Sequence, residues 1–138
     1  MGKFSSSYSE SVIIYDSETN IDVAKLTKYI NDSGEVTYVV AVDWEAYDNS
    51  GIWDDIPGYD MSLRLPEYVR HDSIVFMTEY MPPKSREDSY ELMLSVGLDM
   101  PYDMWAFMIE QGRVCMDGWR VRRISGETYE HDAYRISK

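Results

Sequence analysis

Apolar and β-branched residues concentrate in three short runs within the first eighty residues. Each run is rich in valine, isoleucine or tyrosine and is bounded by polar or glycine-containing segments, which is typical of β-strands. The three predicted strands cover 11–15, 35–44 and 73–80. The run at 35–44 is almost continuously apolar, so we expect it in the interior of a sheet. Residues 61–65 predict a further short strand, closed by Pro66.

Two segments of the same region predict other structures. The apolar positions of 21–30 approximate helical spacing, with Asn20 or Asp22 able to cap the start. Residues 45–60 contain Asn-Ser-Gly and Pro-Gly sequences and predict a loop. We expect residues 1–9 to form a frayed tail.

The C-terminal third changes to helical periodicity. One helix is predicted from the polar segment 85–88 to Gly97, and a second from Pro101 to about residue 111, where Gly112 ends it. Asp-Gly at 117–118 then separates two alternating runs, which is the strongest short-range signal for a β-hairpin. Helix, turn, helix and hairpin in this order match the outline of a winged helix-turn-helix.

The predicted fold class is therefore α+β, with a small, mostly antiparallel sheet, a C-terminal helix pair and a β-hairpin. A chain of 138 residues is the size of a single domain with one hydrophobic core. A subdomain boundary would fall near 81–85, at the Pro-Pro sequence. It would divide a sheet-rich part, 1–81, from a helix–helix–hairpin part, 85–138.

The net charge of −12 is unevenly distributed along the chain. Residues 1–110 hold 21 acidic and 7 basic side chains, whereas residues 111–138 hold 4 acidic and 6 basic ones. Between Lys28 and Arg64 there are eight carboxylates and no lysine or arginine. Such a body repels nucleic-acid phosphates and attracts cationic partners.

The segment 43–60 combines acidic residues with large aromatic ones. Tryptophan and tyrosine are enriched at binding hot spots, and a row of carboxylates would imitate the phosphate backbone of DNA. The alternative is that the aromatic residues belong to the core and the carboxylates form a solvated rim. The candidate partner-binding residues are Asp43, Trp44, Glu45, Tyr47, Asp48, Trp53, Asp54, Asp55, Tyr59 and Asp60.

The segment 43–60 has partial likenesses to a calcium-binding loop and to a nuclease motif. Its carboxylates do not form an EF-hand, because Tyr47 and Asp48 stand where that loop requires Asp or Asn and then Gly. The sequence WDDIPGYD at 53–60 resembles the start of some phage HNH homing endonucleases, and the segment 118–121 is loosely similar to their DNA-binding tail. The only histidines are His71 and His131, without the Asn and Asp pattern of the HNH metal core, so we expect no nuclease activity.

A basic cluster near the C-terminus offers an alternative site. As part of a wing, Arg113, Arg120, Arg122 and Arg123 would contact nucleic-acid phosphates. The predicted second helix opposes this, because it carries Asp103 and Glu110 and no basic residue. In the other interpretation, the arginines balance the protein's own acidic groups.

The sequence contains no complete catalytic motif, no phosphate-binding glycine loop and no pair of residues spaced for a metal. We therefore expect no enzyme activity, no cofactor and no metal. The single cysteine, Cys115, fits a reducing compartment, and no apolar run has the length of a membrane span. Together these features predict a cytoplasmic protein with no membrane partner.

The leading hypothesis is a non-enzymatic acidic protein, of the inhibitor type encoded by phages or mobile elements against host defence. It would cover a basic, nucleic-acid-binding site on a host protein. Binding would weaken with salt, and charge reversal at Asp54, Asp55 and Asp60 would slow association. The alternatives are a winged-helix-like DNA-associated accessory protein and an oligomeric assembly protein.

Overall fold

The framework of the protein is a five-stranded antiparallel sheet in the order β4-β3-β2-β1-β5. The computed structural model describes residues 8–52, 55–71, 73–114 and 118–136. The strands are β1 (Tyr8–Asp16), β2 (Asp22–Ile30), β3 (Val36–Val42), β4 (Glu67–His71) and β5 (Trp119–Arg123). The helices are α1 (Trp44–Ser50), α2 (Val75–Tyr80), α3 (Ser89–Ser95) and α4 (Met104–Gln111), with 3₁₀ turns at Met61–Leu63 and Glu130–Tyr134. The predicted α+β class is confirmed.

The strand predicted at 11–15 lies within β1. The strand predicted at 35–44 is present as β3, which ends at Val42 because Asp43 caps α1 and Trp44 begins it. β3 lies between β2 and β4, in the interior of the sheet as expected. The helix predicted at 21–30 is wrong, because this segment forms β2. Its alternate residues Leu26 and Lys28 pair with Val12 and Glu10 of β1, so a two-residue period governs the segment.

A β-bulge explains why that period was hidden. Ile14 pairs with Ala24, but the next residue, Tyr15, pairs with Asp22, which leaves Val23 as the extra residue of β2. Val23 and Ala24 are both buried, whereas strict alternation would expose one of them. Two adjacent inward-facing residues imitate the spacing of a helix.

The strands predicted at 73–80 and 61–65 are also wrong. The first forms α2, which buries Phe76 and Met77, because a short apolar run fits a buried helix as well as a strand. The second forms the 3₁₀ turn at Met61–Leu63, and β4 begins only after Pro66. The loop predicted at 45–60 begins instead with α1.

The predicted C-terminal helix pair is present as α3 and α4. α4 begins after Asp103 rather than at Pro101, and it ends at Gly112 in the left-handed conformation, as predicted. Residues 115–117 of the predicted hairpin lie outside the described residues. β5 pairs along its length with β1. Among the described residues, the Arg113–Arg120 bridge and the hydrogen bond from the Val114 N–H to the Trp119 carbonyl join β5 to the preceding segment.

One face of the sheet carries the core. The alternating residues Val12, Ile14, Leu26 and Val40 are fully buried and pack in one apolar cluster with side chains of the helices, including Phe76, Met93, Trp105 and Met108. Their neighbours on the opposite face include exposed residues such as Tyr29 and Val69. In the described part of the chain, no helix combines the length and apolar character needed to cross a membrane.

Candidate functional site

The acidic segment begins with a capped helix. The Asp43 carboxylate accepts a hydrogen bond from the Ala46 backbone N–H at 3.1 Å, which starts α1, and Gly51 ends the helix with φ 74°. Asp43 therefore has a structural task as well as a negative charge. Glu45, in the first turn of α1, is exposed.

Arg64 connects α1 to the 3₁₀ turn at Met61–Leu63. Its guanidinium donates two hydrogen bonds to Asp48, at 2.9 and 2.8 Å, and lies over the Trp44 ring at 4.5 Å from the ring centroid. The hydrogen bonds from Arg64 lower the pKa of Asp48. Arg64 itself has a backbone φ of 47°, in the left-handed region that residues other than glycine rarely adopt. Asp48 is thus satisfied within the protein.

Trp44 is partly buried at the junction of these two elements. Its indole N–H donates to the Leu65 carbonyl at 2.9 Å, and its ring meets Tyr47 edge-on at 5.4 Å. Both aromatic residues pack against the core while remaining partly accessible. Trp44 and Tyr47 therefore combine both interpretations, since each ring packs against the core on one side and remains partly accessible to solvent.

Next to Trp44, the structure exposes an apolar pair that sequence reasoning missed. Leu63 is 60% exposed and Leu65 is 40% exposed. We call the surface formed by 43–48 and 60–67 the acidic surface; the Arg64–Asp48 and Trp44–Leu65 bonds hold its two segments together. Its carboxylates include Asp60, which caps the 3₁₀ turn through the Ser62 N–H at 3.1 Å, and Glu67, which is exposed.

Tyr59 does not belong to this surface. It is only 3% exposed and packs edge-on against Tyr68, with ring centroids 5.6 Å apart. Burial raises the pKa of its hydroxyl to about 12. The prediction of Tyr59 as an exposed anchor is therefore wrong, since the ring is part of the core. Asp55 is exposed, and Trp53 and Asp54 lie outside the described residues.

Two of the four arginines of the predicted basic cluster, Arg122 and Arg123, form ion pairs with the protein's own acidic groups. Arg122 forms an ion pair with Asp22 across the sheet. Arg123 pairs with Asp132 at 2.7 Å and lies 4.3 Å from the centroid of the Tyr129 ring. Arg113 and Arg120 are joined by the backbone bridge between their segments. Arg122 and Arg123 therefore agree with the interpretation in which the arginines balance internal acids, whereas the side chains of Arg113 and Arg120 form no ion pair with a carboxylate among the described residues.

Sequence reasoning also missed a charged cluster around the second 3₁₀ turn. Ligand atoms of Glu110, His131 and Asp132 lie within 4.8 Å of one another, a spacing that a metal ion could use. One carboxylate oxygen of Glu110 accepts a hydrogen bond from the Arg135 guanidinium at 2.6 Å. The same oxygen lies 2.8 Å from Nε2 of His131. Since Arg123 and Arg135 also bind Asp132, guanidinium groups supply the positive charge that a metal would bring.

Of the remaining catalytic candidates, the structure describes His71, whereas its neighbour Asp72 lies outside the described residues. His71 is exposed at the end of β4, where its ring nitrogen lies 3.4 Å from the Thr37 hydroxyl. Cys115 lies outside the described residues. Comparison of the chain with protein-family models, with curated proteins and with solved structures found no match.

Proposed function

We propose that this protein binds a basic protein partner through the acidic surface and covers a nucleic-acid-binding site on that partner. The observation that carries the proposal is the exposure of Leu63 and Leu65 on the acidic surface, where the Leu65 carbonyl binds the Trp44 indole and where the carboxylates of Glu45 and Glu67 are also exposed. An apolar centre within a polar, solvent-accessible rim is the usual anatomy of a protein–protein interface.

The charge around this pair favours a cationic partner. The described residues between 43 and 67 hold six carboxylates and one basic side chain, Arg64. Because Arg64 binds Asp48, the carboxylates of Asp43, Glu45, Asp55, Asp60 and Glu67 define the remaining charge. Carboxylates at a rim act mainly on the rate of association, which they raise by electrostatic steering.

Leu63 and Leu65 would add binding affinity, to which exposed charges alone contribute little. Water-exposed ion pairs contribute little to affinity, whereas burial of apolar side chains contributes about 25 cal/mol per Å² of area removed from water. Leu63 and Leu65 would therefore slow dissociation, while the carboxylates speed association. A partner with a basic groove meets both requirements, and its nucleic-acid ligand would compete for the same groove.

Affinity capture with a charge-matched pair of variants tests this proposal. Glu45→Lys/Glu67→Lys reverses two exposed carboxylates of the acidic surface and spares the caps Asp43 and Asp60. Glu87→Lys/Glu127→Lys makes the same charge change at exposed residues in the α2–α3 connection and in the turn after β5. The full chain and both variants would be used to capture partners from a lysate of the native host.

The expected result is one basic protein that the wild-type chain and the control variant retain and that Glu45→Lys/Glu67→Lys loses. Equal retention by both variants would contradict the assignment of the surface. A mobility-shift assay at low salt completes the test, because DNA binding by the isolated chain would favour the accessory-protein alternative.

A further inference from the structure

The face of the sheet opposite the core is an open surface, which we call the open face. The helices pack their apolar side chains into the core cluster on the other face. Strand pairing arranges the residues of the open face in rows, because directly paired residues point to the same side of a sheet. Tyr29 and Val69 of this face are 48% and 46% exposed. Its apolar side chains are Ile13, Tyr15, Tyr29, Val39, Ala41 and Val69.

The polar groups at the centre of the open face are satisfied within the chain. Ser11 and Thr27 are paired across β1 and β2, and both are buried. Their hydroxyl oxygens lie 2.7 Å apart in a hydrogen bond. A second surface laid over them would therefore leave neither hydroxyl without a partner, which is the main cost of covering polar groups.

The open face is nearly neutral, although the chain has a net charge of −12. Salt at ~0.15 M screens exposed charges beyond ~8 Å, so the groups that face each other decide whether two surfaces attract. Two copies of this acidic chain would consequently meet with little repulsion through this face. The charged residues in its rows are Asp22, Lys25, Glu67, Arg120 and Arg122.

One row of the open face has opposite charges at its two ends. From β4 to β5 it runs Glu67, Ala41, Lys25, Ile13 and Arg122. Glu67 and Arg122 each lie two strands away from β2, the central strand. A two-fold axis along β2 would bring Glu67 of each copy over Arg122 of the other, and Ala41 over Ile13. A symmetric dimer requires a surface that is complementary to itself in this way.

Both charged groups are accessible for this contact. Glu67 is exposed and forms no ion pair among the described residues. Arg122 pairs with Asp22, but its side chain remains 49% exposed. A guanidinium group has several N–H donors in a planar fork, so Arg122 can bind a second carboxylate while it keeps the first.

We propose that the open face binds a second copy of this chain in a symmetric sheet-on-sheet dimer with two Glu67–Arg122 ion pairs. Strand spacing of ~4.8 Å and a rise of ~3.3 Å per residue give the face an area of about 500 Å². Two such faces bury about 1,000 Å², near the lower limit of a specific interface, so we expect a Kd of about 10 µM. This dimer does not depend on the proposed partner binding.

Sedimentation equilibrium of the full chain from about 1 to about 200 µM tests the proposal. We expect the average mass to rise from monomer to dimer across this range. Glu67→Lys and Arg122→Glu each bring like charges together and should weaken association about tenfold or more. The double variant Glu67→Lys/Arg122→Glu exchanges the two charges and should restore the dimer. A monomer at every concentration, or a dimer that these variants leave unchanged, would overturn the proposal.

Arg86→Glu is the matched control for Arg122→Glu. Each of these exposed arginines forms an ion pair with an aspartate, but Arg86 lies in the connection between α2 and α3. We expect Arg86→Glu to leave the Kd unchanged, and equal weakening by both substitutions would contradict the assigned interface. Glu67 also belongs to the acidic surface, whereas Arg122 does not. Arg122→Glu should therefore give a monomer that still retains the captured partner, which separates the two proposals.

Lys25 gives a prediction of opposite sign. It lies on the proposed axis, where it would face Lys25 of the other copy. Lys25→Met removes this like-charge contact and should tighten the dimer about threefold or more. Weaker association of this variant would contradict the position of the axis. Single-stranded oligothymidylate tests the other occupant, and its binding by a monomer through Lys25 and Arg122 would overturn the proposal.

Discussion

Trp105 donates its indole N–H to the carboxylate of Glu10 at 2.6 Å, across 95 positions of sequence, and each residue is only 3% exposed. The other oxygen of Glu10 accepts the Glu130 backbone N–H at 2.5 Å and the Tyr8 hydroxyl at 2.9 Å. One buried carboxylate therefore joins β1, α4 and the C-terminal 3₁₀ turn. Hydrogen bonds to a charged acceptor are stronger than those between neutral groups.

Replacement of Glu10 by glutamine should destabilise the fold. The amide retains the shape of the side chain but loses the charge, and its NH₂ group would face a donor. We expect a loss of about 2 kcal/mol in the free energy of unfolding, measured by urea denaturation. Glu35→Gln, at an exposed glutamate, should change it by less than about 0.5 kcal/mol. Equal effects of the two substitutions would contradict the role given to Glu10.

Substitution of Gly58 tests how closely this turn of the acidic segment packs against Val75. It has φ +91°, and an added Cβ would lie 2.6 Å from the Cβ of Val75. Gly34 has a similar φ of +84°, but nothing lies within 4 Å of its added Cβ. Alanine at Gly34 should therefore cost about 1 kcal/mol, for the conformation alone, and alanine at Gly58 about 2 kcal/mol more. Thermal unfolding of both variants checks the difference, and similar Tm values would show that Val75 does not restrict this turn.

Buried tyrosines should make the protein sensitive to alkali. Burial raises the pKa of Tyr38 and Tyr59 to about 12, above the ordinary value of 10.0. The folded state therefore favours the protonated hydroxyls, and this stability is complete below pH 10 and falls as the pH rises towards 12. Each tyrosine should contribute up to about 3 kcal/mol to that fall.

Urea denaturation at about pH 8 and at about pH 11 measures this effect. Tyr59→Phe should reduce the difference between the two conditions, because it removes one of the titrating groups. Its stability at the lower pH should be retained, since the Tyr59 hydroxyl has no hydrogen-bond partner among the described residues. An unchanged pH dependence in this variant would rule out Tyr59 as a contributor.

Two substitutions of Asp43 distinguish its contribution to stability, as the cap of α1, from the contribution of its charge to partner binding. Asp43→Ala removes the cap of α1 and should lower the free energy of unfolding by about 1 kcal/mol. Asp43→Asn retains a capping oxygen, so we expect stability near that of the wild type. If partner binding uses the charge, Asp43→Asn should slow association despite its intact fold. Full stability in Asp43→Ala would refute the capping role.

Local patterns predicted the parts of the fold that depend on near neighbours. β1 and β3 are short β-branched runs, and Gly112 ends α4 as expected. β2 was missed because its bulge at Val23 depends on pairing with β1. α2 was missed because its apolar run fits either structure, and only its packing as a helix in the core decides between them.

In the candidate sites as well, local sequence predicted composition and charge but not which side chains are buried. Charge and aromatic content identified the acidic segment, but not that Tyr59 would be buried or that Leu63 and Leu65 would be exposed. Exposure depends on which segments fold over a residue, and sequence spacing does not contain this information. The cluster of Glu110, His131 and Asp132 was missed for the same reason, since α4 and the second 3₁₀ turn meet only in the folded chain.

The most direct test of the account is the association rate constant with the captured partner, measured by surface plasmon resonance from about 0.05 to about 0.5 M salt. For the wild-type chain and for Glu87→Lys/Glu127→Lys, we predict a fall of about tenfold or more across this range. For Glu45→Lys/Glu67→Lys, we predict a slower association at low salt and a weaker dependence on salt. A rate that is independent of salt and equal in all three proteins would contradict the claim that the acidic surface recruits a basic partner.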